Sequence, residues 1–170
     1  MAYELAAEFD PRNPQLQATS GKVPQILQGY NEGASAAFHA GQFVYLDASG
    51  VVTVCTAGDV PVMGIALRDG TVTGQAGSLQ EIPIQVIGRD DELLIQVCTS
   101  AGVLETSNTT CVPGVGYDIQ TVSTTLHYID SSDTSEMKFV YLGPTLDSQG
   151  AATTWGRFRP IYVENQATAE

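Results

Sequence analysis

The sequence predicts an all-β protein: an antiparallel β-barrel or jelly-roll-like sandwich with an extended N-terminal arm and little helix. Three observations predict it. Apolar residues alternate with period two across 81–87 and 92–98, so that Ile82, Ile84 and Val86, then Leu93, Ile95 and Val97, share one face of each strand. Turn-forming Gly, Pro, Asn and Asp recur at short intervals from Gln25 to Glu164. No stretch sustains the 3.6-residue apolar repeat of an amphipathic helix. About nine strands in one such segment suit a closed or double-layered sheet.

The elements follow in order. Residues 1–24 carry Pro11, Pro14 and Pro24 among Asn, Gln and Ser, which disfavours helix and central strand. They read as an extended arm that orders against a neighbour, with Tyr3, Leu5, Phe9, Leu16 and Val23 to bury; a frayed terminus is the alternative. Residues 25–164 form the single β domain. Its first clear element is a hairpin, with Phe43 and Tyr45 on one strand and Val51, Val52 and Val54 on the other. Asp47-Ala48-Ser49-Gly50 supplies the turn, where Gly50 can take positive φ.

A strand over 62–68 and a Gly-rich loop over 69–78 come next. A second hairpin is predicted from 81–87 and 92–98, turning at Gly88-Arg89-Asp90-Asp91, with Pro83 at an edge or bulge. Residues 99–114 are polar and suit a loop with a short helical turn. The remaining strands are expected over 117–122, 125–129, 137–142 and 157–163, with turns at Asp130–Asp133 and Gly143-Pro144. Residues 165–170 read as a flexible tail.

A chain of 170 residues fits one domain and can bury roughly 70% of its unfolded surface. It is 43% hydrophobic and 15% charged, the composition of a globular protein. Seven basic against 19 acidic residues give a net charge of −12, spread along the chain. That balance argues against nucleic acid as a partner, because phosphate binding draws on clustered Lys and Arg. It suits high solubility, or docking on a basic protein surface. The opening MAYELAAEFD lacks the charged and apolar regions of a signal peptide, and no apolar run approaches the ~20 residues of a membrane span. Cys55, Cys98 and Cys111 cannot all pair within one chain, so buried, reduced thiols are expected.

A search for chemistry assigns no catalytic, cofactor-binding or metal-ligating residue. Asp90, Asp91 and Glu92, with Asp69, are the densest carboxylates and could face a hard cation, but they lack EF-hand spacing and read as a solvated turn. His39 and His127 with Cys98 and Cys111 lack the close ligand pairs of structural zinc sites. No G-x-S-x-G elbow occurs, and Gly114-Val115-Gly116 leads into a strand instead of a phosphate-binding helix. Cys55 has no basic sequence neighbour to activate it. The remaining candidates are contact residues: Arg157 and Arg159 alternate on one strand face, and Trp155 lies just before that strand as a core cap or interface anchor.

Several segments in one order carry a resemblance. Gly33-Ala34-Ser35, Phe38 and Gly41 to Val52 are followed by Pro61 to Leu67, then Pro83 to Val86 and Gly116-Tyr117-Asp118-Ile119. Ile129 to Thr134, Phe139 to Gly143 and Arg157 to Val163 complete the series. In this order they resemble the small head proteins of tailed bacteriophages, the capsid cement or decoration family. The resemblance implies a structural virion protein without enzymatic activity or cofactor, and a barrel or jelly-roll-like module, often a homotrimer. It implies assembly in the bacterial host cytoplasm and a place on the outer capsid surface, where the partners are the major capsid protein and further copies of itself. Nucleic acid and membrane are not among the expected partners. The competing expectations are a tail or fibre component, or a small-ligand or carbohydrate-binding barrel with Trp155, Tyr45 and Tyr128 as stacking residues.

Overall fold

The computed structural model describes residues 12–17, 25–33, 38–58, 62–70, 81–99, 102–122 and 125–161. Within them lie twelve strands: β1 (Gln15–Gln17), β2 (Ile26–Leu27), β3 (Phe43–Leu46), β4 (Val52–Val54), β5 (Gly64–Ala66), β6 (Ile84–Val86), β7 (Glu92–Cys98), β8 (Gly116–Tyr117), β9 (Ile119–Val122), β10 (Leu126–Asp130), β11 (Phe139–Leu146) and β12 (Ala152–Pro160). The protein is all-β, and no helix occurs among the described residues, so the helical turn expected within 99–114 is absent there. Instead Gly102 N donates to Thr99 O, Thr99 N donates to Val103 O, and Leu104 returns to bridge Cys98.

Seven strands build the main sheet, in the order β8-β11-β12-β7-β10-β9, with β1 added on β7. β8 and β9 are consecutive in the chain and separated only by Asp118, yet they bond to opposite ends of this order, β8 to β11 and β9 to β10. The sheet therefore curls into a nearly closed barrel whose two ends meet at Asp118. One edge of β7 pairs with β12; the other pairs with β1 at Glu92–Leu94 and with β10 at Val97–Cys98. The β7–β10 pairing is parallel, unlike the otherwise antiparallel ladders of this sheet.

Asn13 fills the change of partner along β7. Its side chain accepts from His127 N at 3.1 Å and donates to Thr125 O at 3.1 Å and Ala40 O at 3.4 Å. Residues 12–17 of the expected arm are thus fixed to their own barrel.

The other five strands form an antiparallel sheet, β2-β6-β5-β3-β4. The predicted first hairpin is present as β3–β4. The predicted second hairpin is not: β6 belongs to this sheet and β7 to the barrel, so the Gly88–Asp91 turn carries the chain between them. Alternation marked Ile82, Ile84, Leu93, Ile95 and Val97 as buried, but Val86 is half-buried and Ile87, expected on the other face, is fully buried in the main core; nor does alternation choose the pairing partner.

Asp47 Oδ1 accepts from Ser49 N and Val51 N, and Gly50 closes the β3–β4 turn at φ 73°. Asp147-Ser148-Gln149-Gly150 repeats the device between β11 and β12: Asp147 Oδ1 accepts from Gln149 N and Ala151 N, with Gly150 at φ 80°. The turn predicted at Gly143-Pro144 therefore lies later in the chain. Gly143, at φ 150°, takes up a bulge inside β11, and Pro144 is tolerated because β8 covers that edge only at Phe139 and Val140.

The main core joins the barrel interior to one face of the second sheet. Leu93, Ile95, Val97, Ile119, Ile129, Phe139, Tyr141 and Phe158 come from the barrel, and Phe43, Cys55, Val62, Ile65 and Ile87 from the other side. The Phe43 ring lies 4.9 Å from Phe139 and 5.7 Å from His127. Phe38, Val44, Leu46, Val52, Met63, Ala66, Ile82 and Ile84 form a second core.

Candidate functional site

β12 reads Ala-Thr-Thr-Trp-Gly-Arg-Phe-Arg-Pro, and pleating sends alternate residues to opposite faces. Gly156, Phe158 and Pro160 are buried, while Arg157 and Arg159 are exposed and Trp155 is half-buried. Trp155 lies inside β12, not ahead of it, because the strand begins at Ala152. Its register partner is the buried Gln96, and Arg157 stands opposite the half-buried Leu94, so the exposed groups on this side of the β7–β12 pair are the arginines beside a half-buried tryptophan. Arg157 reaches Glu92 at 3.7 Å with 46% and 30% of the two side chains exposed, a contact worth ~0–1 kcal/mol in water.

Beside this face, Arg89, Asp90, Val140, Arg159, Pro160 and Ile161 line an open depression of about 480 Å³. Sequence reading selected Arg159 but passed over Arg89, which lies far from it along the chain and meets it only through the crossing of the 88–91 turn with the end of β12. The chain's acidic balance was the available signal: cations are scarce, and two of the seven line this depression together with Asp90.

The other sequence candidates separate. Leu16 packs half-buried against the core of its own barrel, opposite Leu93. Tyr3, Leu5, Phe9 and Val23 lie outside the described residues, as do most of the Gly-rich loop and the tail. Of the carboxylates, Asp91 accepts from Gly88 N at 2.6 Å to shape its turn, Glu92 faces Arg157, and Asp69 accepts from Ala40 N at 2.7 Å and faces His39 at 3.4 Å. No three metal-ligating side chains gather among the described residues. Tyr45 packs on the main core and Tyr128 in a separate cluster with Cys98 and Leu126, so the three proposed stacking rings share no open face.

Interior polar groups act as fasteners. Asp118 and Lys138 form a buried ion pair at 2.6 Å. Gly58 N donates to Asp118 Oδ2 at 3.0 Å and Lys138 Nζ donates to Gly58 O, so the pair also holds the segment after β4. His127 Nδ1 accepts from Phe43 N at 2.9 Å. Burial holds its imidazole pKa down to about 3, with the Cys55 carbonyl opposing and the Lys138 charge reinforcing the shift.

The three cysteines are free and buried. Burial pushes the Cys98 and Cys111 thiols up to about 12, helped for Cys98 by Asp130 and for Cys111 by Glu105, and raises Cys55 further. None is a thiolate near neutral pH. Asn108, at 2% exposure, enters the barrel over Gly156, where a Cβ would stand 2.5 Å from its Nδ2 and 2.8 Å from Tyr141 Cε2.

The chain matches no family model, no curated protein and no solved structure. The arrangement defines a barrel-based scaffold whose β12 outer face carries Trp155, Arg157 and Arg159, with Asp90 and Glu92 beside the arginines.

Proposed function

We propose that the chain is a structural virion protein, a capsid cement protein that docks on the outer surface of an assembled phage head and clamps neighbouring major capsid subunits. The observation that carries this reading is the outer face of β12, which sets Trp155, Arg157 and Arg159 side by side on a rigid strand. Tryptophan and arginine are the side chains that most often dominate binding at protein interfaces. The segments that carry the resemblance to head proteins form β3, β4, β5, β6 and parts of the barrel, among them the Arg157–Pro160 end of β12 itself. A net charge of −12 favours protein over nucleic acid or an anionic membrane as the docking surface.

The test is to add purified protein to undecorated heads of the phage that encodes it. Co-sedimentation and a rise in the temperature at which the heads rupture are expected, with both reduced by Trp155→Ala and Arg159→Glu. Heads that neither bind the protein nor gain heat resistance would overturn the reading.

A further inference from the structure

Asp118 and Lys138 are neighbours across two strands, and their backbones are tied on both sides. Lys138 N donates to Tyr117 O at 3.0 Å, and Lys138 O accepts from Ile161 N at 2.8 Å. Asp118 N donates to Asp133 O at 3.1 Å, and Asp118 O accepts from Asp130 N at 3.0 Å. Anchored in this way, the Lys138 amine is held against the Asp118 carboxyl at 2.6 Å, with 6% and 1% of the side chains exposed.

The hydrogen bonds around the pair suit an amide better than two ions. An ammonium has three protons to donate, and Lys138 Nζ meets two acceptors among the described residues, Asp118 Oδ1 and Gly58 O. A secondary amide has one N–H and one C=O. Gly58 supplies a partner for each, because its carbonyl accepts from Lys138 Nζ and its amide donates to Asp118 Oδ2 at 3.0 Å. It offers both groups to the same pair from φ 122°, a backbone conformation that residues with a side chain rarely adopt.

We infer that Lys138 and Asp118 condense into an intramolecular isopeptide bond, which welds the barrel at the junction of β8 and β9. Nζ passes a proton to Oδ1 along their shared hydrogen bond, leaving an amine and a carboxylic acid. The Nζ lone pair then bonds to Cγ, while the Gly58 amide steadies the negative charge gathering on Oδ2. The Cγ–Oδ1 bond breaks, and Oδ1 leaves as water with two of the three ammonium protons. The Ile119 amide, which bonds Oδ1 at 2.7 Å, supports that departure. The third proton stays on the new amide and faces Gly58 O. The step consumes no oxidant, reductant or second reactant. Burial favours the product, because two charges lodged out of water become one neutral amide. Groups fixed in contact can react at effective concentrations of about 10⁵–10⁸ M. The bond closes residues 118–138 into a covalent ring that contains β9 and β10. It stands on the geometry of the core and is independent of the docking role given to β12.

The intact mass of the purified full chain, measured after denaturation, tests the bond. The wild type should weigh one water less than its sequence, with or without Met1. Protease digestion should release a branched peptide that joins Asp118 to Lys138. Lys138→Arg and Asp118→Ala should each keep the full sequence mass. Asp118→Asn should lose ammonia instead of water and arrive at the mass of the condensed wild type. Gly58→Ala displaces both bonds around the pair and should lower the condensed fraction severalfold in protein of the same age. A wild type that keeps its full mass after prolonged incubation in the folded state would overturn the inference. A water loss that maps to a succinimide, or to any other pair of residues, would overturn it equally. The wild-type measurement decides the matter even where a variant fails to fold.

Discussion

Asp118 and Lys138 meet at 2.6 Å, with side chains 1% and 6% exposed, at the single residue that separates the two strands closing the barrel. Two charges out of water are tolerable only while they face each other. Lys138→Met leaves the Asp118 carboxylate buried and uncompensated, and should cost about 3–5 kcal/mol in denaturant unfolding. Combining it with Asp118→Asn should recover much of that loss. A single variant as stable as wild type would mean that the pair is not a closure clamp.

Gly156→Ala tests the packing under Asn108. The added methyl would meet Asn108 Nδ2 at 2.5 Å, Phe158 Cε2 at 2.6 Å and Tyr141 Cε2 at 2.8 Å. Overpacking of this kind should cost about 1–3 kcal/mol. Asn108→Ala in the same background removes the shortest contact and should restore part of the melting temperature. An unchanged melting temperature for Gly156→Ala alone would contradict such tight packing in the barrel interior.

His127 makes stability depend on pH. Its folded pKa, about 3, lies below the ordinary 6.5, so below pH 6.5 the unfolded chain binds a proton that the folded chain refuses. Stability present above pH 6.5 is therefore lost as pH falls, by up to ~1.4 kcal/mol per unit. Urea titrations between pH 6.5 and 5, above the range where most carboxylates protonate, should show the decline, and His127→Gln should flatten it. Parallel slopes for the two proteins would rule out His127 as the source.

The twin turns should respond alike. Gly50 and Gly150 sit at φ 73° and 80° with open space within 4 Å of where a Cβ would stand, so alanine meets only the conformational penalty, about 1–2 kcal/mol at each. Asp47→Ala and Asp147→Ala each remove an acceptor of two backbone amides, worth about 1 kcal/mol or somewhat more. A marked inequality between the two sites would show that one turn draws support from elsewhere.

Much of the fold was legible because it is local. Leu93, Ile95 and Val97 alternate in the sequence and line the barrel core, and Asp47 to Gly50 spell out their turn. Pairing across distance was not legible. Nothing within 81–98 records that β6 and β7 part at Gly88, since both strands bury an apolar face. Asp147 to Gly150 repeats the Asp47 turn chemistry, but Gly143-Pro144 offers a competing turn signal that a bulge absorbs instead. The arginine alternation on β12 was readable from its period of two. The meeting of Arg89 with Arg159, and of Asp118 with Lys138, depends on strand order and could not be read from spacing.

The position of β12 also sets a timetable for synthesis. It is the last described strand, yet it lies between β11 and β7, so neither neighbour has its full set of backbone partners until β12 itself has left the ribosome. β7 has β1 available on its other edge early, because β1 precedes it in the chain. The second sheet, complete by β6, can form while the barrel still has an open side. A nascent chain released before Pro160 would expose the paired edges of β7 and β11, and those edges are where association with other unfinished chains would start.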